Sequence, residues 1–332
     1  MKQVQKYFSV LTGLLRVRTF LLLIIYSLVG YAFGSYNQGG WNALSELRFV
    51  IIIIVIGAWY INGTALNDFA DFEIDKINLK KSSERPLLDN TISRKELIYV
   101  ALGVALFAIL GSIYLGRNAI ILTLVMILLN IAYSIKPIAI SHRGVLAISL
   151  LPLGYVLYPV LLGIWAKDTK IDFSIQVLTL ILGLYLQFVS RIILKDFRDI
   201  KGDKKFGKRT FLLLYGQKVT CLISQITLVL GIIILFAGNL NQLKYSLFGI
   251  VMIAGYAFEM ISVLSRQKSW KNQKAYITSY GRSLSGILVL IGINYTFLLL
   301  NIQLLSLITV LTLVGILILF SAKTLLLDSF KS

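Results

Sequence analysis

The chain has 332 residues, of which 57% are hydrophobic and only 14% are charged, and its mean hydropathy is +0.82. A soluble domain carries about a quarter of its residues as charges, so this composition excludes a soluble enzyme of any class. The net charge of +18 lies mostly in short basic segments between apolar runs, which favours membrane topology over nucleic-acid binding. One cysteine and one histidine exclude an intrachain disulfide, a thiolate metal cluster and a zinc site built from imidazoles.

Charge-free runs predict the membrane spans, because a helix needs about 20 apolar residues to cross the hydrocarbon. The final run, from Ser283 to Ala322, is 40 residues long, and its polar residues Asn301 and Gln303 indicate two helices. We therefore expect an all-α membrane bundle with ten crossings, or nine if the final stretch lies along the surface. The runs are 19–45, 49–67, 97–116, 118–135, 144–166, 173–190, 219–243, 245–258 and 283–322.

The distribution of Lys and Arg predicts the orientation of these spans. With the N-terminus in the cytoplasm, 28 of the 33 basic residues fall on the cytoplasmic side and 5 fall outside. Such an excess is typical of cytoplasmic loops. We expect a single multi-pass domain (1–332) in the cell (inner) membrane, with its active site on the cytoplasmic side. Residues 1–16 alternate lysines with apolar side chains, which fits either an amphipathic surface helix or an unstructured basic leader.

The acidic residues are concentrated in two segments that each follow a predicted span. Of the 15 Asp and Glu, 7 lie between Asp68 and Glu96, and 3 more follow the sixth span. Within them, two triplets repeat the same spacing of three and then four residues: Asp68, Asp71 and Asp75, then Asp196, Asp199 and Asp203. On a helix such steps keep three carboxylates within about 60° of one another.

Two such strips of carboxylates predict a site for divalent cations. One triplet alone is more typical of a solvated helix end with local ion pairs, but two of identical spacing favour a binding site. Mg²⁺ prefers oxygen ligands and shares one or two carboxylates with substrate phosphates. Basic residues that suit a bound diphosphate lie nearby: Lys76, Lys80, Lys81, Arg85, Arg198, Lys201, Lys204, Lys205, Lys208 and Arg209.

At these residues the sequence resembles the UbiA superfamily of intramembrane prenyltransferases. Asn67 and the first triplet match that family's N-D-x-x-D-x-x-x-D motif, Arg85 and Pro86 match the R-P pair that follows it, and the second triplet matches its D-x-x-D-x-x-x-D motif. The resemblance implies a helical bundle with a central cavity that opens to lipid. It also implies two Mg²⁺ ions that bridge a prenyl diphosphate, and a cap of cytoplasmic loops.

The resemblance also implies roles for individual residues. Asp71, Asp199 and Tyr133 are expected to be catalytic, and all six aspartates of the two triplets to bind metal. Arg191 precedes the second triplet by about one helical turn and is expected to reach the diphosphate. The expected substrate-binding residues are Asn67, Lys81, Arg85, Arg143, Arg191, Lys195, Lys208 and Arg209.

The segment YSIKPIAISHRG after the fourth span departs from the family pattern Y-S-x-x-P-x-R-x-K. Tyr133, Ser134 and Pro137 match, but Ala139 and Ser141 stand where Arg and Lys are common. Three basic residues at shifted positions are candidates to replace them: Lys136, His142 and Arg143.

We therefore expect a Mg²⁺-dependent enzyme that transfers a prenyl chain from its diphosphate to a lipophilic acceptor, an aromatic quinone precursor. The open alternatives are a membrane terpene cyclase, transfer to a glycerol-phosphate or porphyrin acceptor, and, from another class, an anion transporter. A transporter predicts ionisable residues near the bilayer midplane, whereas these carboxylates lie at the ends of spans.

Overall fold

In the computed structural model, residues 2–37, 43–78, 85–166, 174–301 and 303–331 are described, and they form helices without any strand. Short 3₁₀ turns lie at Ile140–His142 and Ile193–Lys195, and a π-helical turn lies at Leu153–Leu157. The helices are α1 (Lys2–Leu15), α2 (Val17–Asn37), α3 (Ala43–Ala70), α4 (Phe72–Asn78), α5 (Arg94–Leu115), α6 (Arg117–Ser134), α7 (Gly144–Pro152), α8 (Tyr158–Trp165), α9 (Ile175–Ile192), α10 (Asp196–Lys205), α11 (Phe211–Leu243), α12 (Leu247–Leu264), α13 (Trp270–Leu299) and α14 (Leu304–Lys331).

Ten stretches of the described residues are long and apolar enough to cross a membrane. This confirms the predicted all-α bundle with ten crossings. The chain between α13 and α14 leaves the helix at Leu300 and Asn301, where the polar residues of the last apolar run predicted a division. The protein is therefore a multi-pass membrane protein.

The start of α13 differs most from the apolar runs, since this helix begins at Trp270 rather than Ser283. In α11, a short helical segment from Phe211 is separated by non-helical backbone at Gly216 from the part that contains the predicted run 219–243. Basic residues end a charge-free run without ending a helix, since Lys and Arg are good helix formers. Hydropathy therefore located the apolar part of each helix and missed its charged extension.

The described residues form two compact units. The first comprises residues 1–27, 41–169 and 199–210. Within it, α1 is a helix that packs against α3 through Val10 and Leu14, both fully buried, while Val4 and Phe8 are exposed. The N-terminal segment is thus helical, and its position on the membrane surface stays a prediction, as does the single-domain organisation.

Helix α3 is the centre of the first unit and carries the first aspartate triplet at its end. Its Asn62 donates a hydrogen bond to the carbonyl of Ala101 on α5 (3.1 Å) and accepts one from Asn130 on α6 (3.0 Å). Such amide bonds between membrane helices satisfy polar groups that lipid cannot. They fix α3 against two neighbours and so position the triplet.

The fifth span of the first unit is interrupted by the π-helical turn between α7 and α8. Gly154 lies in this turn, and a Cβ there would lie 2.6 Å from Cζ2 of Trp59 on α3. A larger residue would therefore push the two helices apart. The turn also presents Tyr155 to α3, where its ring centroid lies 5.9 Å from that of Tyr60.

The second unit comprises residues 28–40, 170–198 and 211–332. Its helices α9 and α11 meet at Gly183 and Gly231, where a Cβ on either would lie 2.8 Å from the carbonyl oxygen of the other. Close approach at small residues is typical of membrane helix pairs. Buried hydroxyl contacts, such as the one between Ser190 and Ser224, satisfy polar groups along the same interface.

Candidate active site

The first aspartate triplet lies at a bend where α3 ends and α4 begins. Asp71 occupies the bend, but its amide still donates to the carbonyl of Asn67 (2.8 Å), and the amide of Asp75 donates to that of Asp71 (2.8 Å). The helical register therefore continues through the break. The expected straight strip was wrong in this respect, since the triplet spans two helices rather than one.

Two of these carboxylates are buried, although each carries a formal charge. Asp68 is 3% exposed and Asp71 is 5% exposed, and Asp75 is half-buried. Burying a carboxylate is costly unless cations and hydrogen-bond donors compensate it. The cationic side chains around the triplet are therefore part of the same structure.

Arginines from two distant segments bind Asp68. Arg16, in the connection between α1 and α2, donates to Asp68 Oδ1, and Arg85 donates to the same oxygen and to Asp75 Oδ2 (2.8 Å). Arg85 thus contacts two members of the triplet, and its predicted role in substrate binding stays a prediction. Arg16 was interpreted only as a topology charge, because the sequence gives no signal for a contact across 52 residues.

Asp71 has a different set of partners. Lys208 Nζ lies 3.0 Å from Asp71 Oδ2, Asn67 Nδ2 donates to the same oxygen (3.1 Å), and His142 Nε2 lies 3.5 Å from Asp71 Oδ1. Burial alone would raise the pKa of Asp71, but the His142 contact and the Lys208 ammonium outweigh it and hold that pKa well below its usual range. Asp71 is therefore a carboxylate anion at neutral pH.

The pKa of Asp75 is shifted in the opposite direction from that of Asp71. Burial raises the pKa of its carboxyl to about 6, because the loss of water and the nearby Asp68 and Asp71 outweigh the guanidinium of Arg85. The like charges of Asp68 and Asp71 thus oppose ionisation of the third carboxyl of the first triplet. Such a cluster favours the arrival of a further cation.

The second triplet lies on one short helix, α10, as the spacing predicted. Lys208 links its far end to the first triplet, since Lys208 Nζ lies 3.9 Å from Asp203 Oδ1 as well as 3.0 Å from Asp71. The amide of Gly202 donates to Asn78 Oδ1 of α4 (2.6 Å), and a Cβ on Gly202 would meet the same side chain at 2.6 Å. The end of α10 therefore packs directly on the segment that carries Asp75.

Further predicted site residues lie in or just before the second motif. Asp199 is half-buried, and Asp196 is buried at the start of α10. Arg191 donates to Ser285 Oγ (3.3 Å), and Lys195 lies in the 3₁₀ turn before α10. Their roles in binding metal or substrate stay predictions. Lys81 lies outside the described residues.

The connection between α6 and α7 brings one of its three basic residues to the triplet. His142 reaches Asp71, whereas Arg143 is exposed and donates to the carbonyl of Pro137 in its own loop (3.3 Å). Backbone pairing of Arg143 with Arg209 joins this loop to the chain after α10. Arg209 therefore lies close to this loop with its side chain exposed, and its role in substrate binding stays a prediction.

An open cavity of about 620 Å³ borders this loop, lined by residues 136–139 together with His142 and Arg143. Tyr133 precedes it at the end of α6 and is buried against Ile140 and Ala147. One of its lining residues, His142, lies 3.5 Å from Asp71. The role of Tyr133 stays a prediction.

Aromatic side chains lie on α3 two turns before Asp68, and sequence reasoning missed them. Trp59 and Tyr60 pack against the rings of Tyr155 (6.2 and 5.9 Å) and Tyr158 (5.1 Å from Trp59). Their one sequence signal is aromatic residues inside an apolar run, which every membrane span shares. Only the tertiary packing brings them together.

The family model for the UbiA prenyltransferase family matches residues 22–281. Among curated relatives, digeranylgeranylglyceryl phosphate synthase of Methanosphaera stadtmanae is 30% identical over 261 residues, which is 72% of this chain and 90% of the relative. The bacteriochlorophyll synthase 33 kDa chain of Rhodobacter capsulatus is 27% identical over 53% of this chain and 58% of its own.

Solved structures show the same fold. A digeranylgeranylglyceryl phosphate synthase structure superposes with a TM-score of 0.66 at 21% identity and covers 89% of this chain and 99% of its own. A UbiA homologue from Archaeoglobus fulgidus, bound to DMAPP and Mg²⁺, gives a TM-score of 0.61 at 13% identity over 88% and 99% of the two chains. With the two aspartate motifs in place, the chain belongs to the UbiA prenyltransferase family.

Proposed function

We propose that this protein is a Mg²⁺-dependent enzyme that transfers a prenyl chain from a prenyl diphosphate to a glycerol-phosphate lipid. One observation carries the proposal: Asp68 and Asp71 are buried at the end of a membrane span and surrounded by cations from separate segments. Such an arrangement suits a ligand that combines a divalent metal ion with negatively charged phosphate groups.

The buried carboxylates fit Mg²⁺. Two of their oxygens, Asp68 Oδ2 and Asp71 Oδ1, are buried and accept no hydrogen bond within the described part of the chain. No three Asp, Glu, His or Cys side chains among those residues converge tightly enough to hold a metal alone. Mg²⁺ needs no such cage, because it commonly binds one or two carboxylates and completes its shell with waters and substrate phosphates.

The residues that would hold Mg²⁺ are Asp68, Asp71, Asp75, Asp199 and Asp203, with Asp196 expected from the family motif. Family membership implies two ions. When bound, the metal would neutralise charge that builds on the departing diphosphate. The Archaeoglobus fulgidus homologue bound to DMAPP and Mg²⁺ supports this cofactor.

The cations of the site would bind phosphate oxygens. Arg85 uses only Nη1 for its two carboxylates, and Arg16 has a buried Nε that donates no hydrogen bond to any described residue. Arginine can place two N–H groups on a phosphate, and lysine adds a point charge. Arg16, Arg85 and Lys208 would thus hold the diphosphate as its bond to carbon breaks.

The aromatic side chains behind Asp68 would protect the cationic carbon of the departing prenyl group. Trp59 and Tyr60 pack edge to face with Tyr155, and an aromatic face attracts a cation that lies within about 6 Å of the ring centroid. Tight packing in the same place excludes the water that would quench an allylic cation.

Glycerol phosphate is the better supported acceptor, and the aromatic acceptor predicted from the sequence is not confirmed. The Methanosphaera relative is named for a product that carries two geranylgeranyl groups on glyceryl phosphate, so its acceptor carries one. In the corresponding reaction here, a glycerol hydroxyl oxygen bonds to the allylic carbon as the carbon–oxygen bond to diphosphate breaks. The bonding electrons leave with the diphosphate, and the hydroxyl proton is released.

The location follows from the charge asymmetry. Because most basic residues fall on one side, we propose that both aspartate motifs face the cytoplasm across the cell membrane. Water-soluble metal and diphosphate would then enter from the cytoplasm, and both prenyl chains would remain in lipid.

Incubating the purified protein with labelled prenyl diphosphates and an acceptor panel tests the proposal. The panel holds geranylgeranylglyceryl phosphate, a hydroxybenzoate, a porphyrin-type acceptor and no acceptor, with products identified by mass spectrometry. A diprenylated glyceryl phosphate is expected. An exclusively aromatic or porphyrin product would overturn the acceptor, and a hydrocarbon formed without acceptor would identify a cyclase instead.

A further inference from the structure

A second basic region, outside the two aspartate motifs, lies in the unit formed by residues 28–40, 170–198 and 211–332. There the start of α11 and the end of α12 enclose an open cavity of about 780 Å³. We call it the α11–α12 groove. It is lined by Lys218, Arg266 and Lys268, with Tyr215, Gln217 and Leu222 among the other lining residues.

The three cations of the α11–α12 groove have no acidic partner among the described residues. Lys218, Arg266 and Lys268 are all exposed, and none takes part in an ion pair with any part of the chain that the structure describes. Three like charges around one cavity repel one another unless an anion binds there.

The backbone carbonyls at the end of α12 accept hydrogen bonds from amide side chains rather than from these cations. At the end of α12, Gln217 Nε2 donates to the carbonyls of Leu264 and Gln267 (both 2.7 Å), and Gln273 Nε2 donates to that of Gln267 (2.8 Å). Basic side chains often cap the last carbonyls of a helix. Here amides satisfy Leu264 and Gln267, so Arg266 and Lys268 remain available to a ligand.

An exposed apolar stripe continues from the groove along α11. Leu222, Ile226, Val229 and Ile233 recur on one face of the helix, and each is at least 43% exposed. Tyr215, 49% exposed, lies at the groove end of the helix, where interfacial aromatic residues are common. If the polar head group of a lipid bound in the groove, the acyl chain of the same lipid would therefore lie along this stripe.

We propose that the α11–α12 groove binds an anionic phospholipid, with its phosphate near Lys218, Arg266 and Lys268 and an acyl chain along Leu222 and Ile226. The three cations complement the negatively charged phosphate, and the apolar stripe complements the acyl chain. Basic pockets between membrane helices on the cytoplasmic side are suited to anionic head groups, and both loops that line the groove belong to the predicted cytoplasmic side. None of the residues that line the groove belongs to either aspartate motif.

The test compares two triple variants with the same change in charge. The groove variant is Lys218→Gln, Arg266→Gln and Lys268→Gln. The control variant is Arg18→Gln, Lys95→Gln and Lys323→Gln, three exposed cations that line neither cavity. Each protein is exchanged into mixed phosphatidylcholine and phosphatidylglycerol, and retained lipid is counted by native mass spectrometry, with inorganic phosphate added in a separate arm.

We expect wild type and the control variant to retain phosphatidylglycerol over phosphatidylcholine by about fivefold or more, and the groove variant to lose that preference. Prenyl transfer in neutral detergent should be unchanged in the groove variant, which also shows that it folds. The proposal fails if wild type shows no preference or if both variants lose it equally. It also fails if millimolar inorganic phosphate abolishes retention, since the ligand would then be a free anion.

Discussion

The molecule contains two clusters of cations that differ in their surroundings. Arg16, Arg85 and Lys208 contact buried carboxylates, whereas Arg266 and Lys268 are exposed and have no acidic partner among the described residues. Cations paired with buried carboxylates suit a ligand that brings metal and phosphate together. Unpaired cations at a membrane edge suit an anion alone. The kind of ligand that each cluster suits is therefore indicated by the groups that its cations contact, rather than by the cations themselves.

Metal removal should produce the largest contrast between the two clusters. In excess EDTA, prenyl transfer should fall to background and recover with added Mg²⁺, because the diphosphate needs the metal to bind between carboxylates. Phosphatidylglycerol retention at the α11–α12 groove should not change. Full prenyl transfer in EDTA would contradict the proposed mechanism.

Removing one carboxylate from either aspartate motif should have the next largest effect. Asp71→Ala and Asp199→Ala should each lower kcat/KM by about a hundredfold or more, the cost of losing one well-placed electrostatic group. Asparagine should rescue little, because it keeps the shape and loses the charge. Asp89→Ala, outside both motifs, serves as the matched control and should stay within about twofold of wild type.

A single arginine from each cluster sharpens the comparison. Arg16→Gln removes a donor to buried Asp68 and should lower kcat/KM by about tenfold or more, since a charge-assisted hydrogen bond contributes about 1.5–3 kcal/mol. Arg266→Gln should leave prenyl transfer in detergent within about twofold, because Arg266 contacts no carboxylate in the part of the chain that the structure describes. Equal losses in both variants would mean that overall charge, rather than pairing, governs activity.

The smallest effects should come from the connection between α6 and α7. His142 lies 3.5 Å from Asp71, whereas the contacts of Arg143 within the described structure are with its own loop and the backbone of Arg209. His142→Gln should therefore weaken binding of a prenyl thiodiphosphate analogue by about fivefold, and Arg143→Gln by less than twofold. Isothermal titration with Mg²⁺ present measures both. The reverse order would place Arg143, and not His142, beside the diphosphate.

The sequence predicted the features that depend on local patterns. Hydropathy found ten spans, and the repeated aspartate spacing found both motifs, because span length and helical periodicity are local properties. The start of α13 was missed, since basic residues inside the helix ended the apolar run.

Contacts between distant segments could not be predicted. Arg16 meets Asp68 across 52 residues, and Tyr155 meets Tyr60 only because a π-helical turn presents it to α3. Neither residue belongs to a motif. His142 was considered among three basic candidates, and only the folded loop shows which of them reaches Asp71.

The most direct test of the central claim is Mg²⁺-dependent binding of a non-hydrolysable prenyl thiodiphosphate to wild type and to Asp71→Asn, by titration at neutral pH. We predict tight binding to wild type only with Mg²⁺, and a loss of at least about tenfold in the variant, since Mg²⁺ would then lose a charged ligand. Binding that is equally tight without Mg²⁺, or unchanged in Asp71→Asn, would contradict the assignment of the aspartate motifs to a metal-bridged diphosphate.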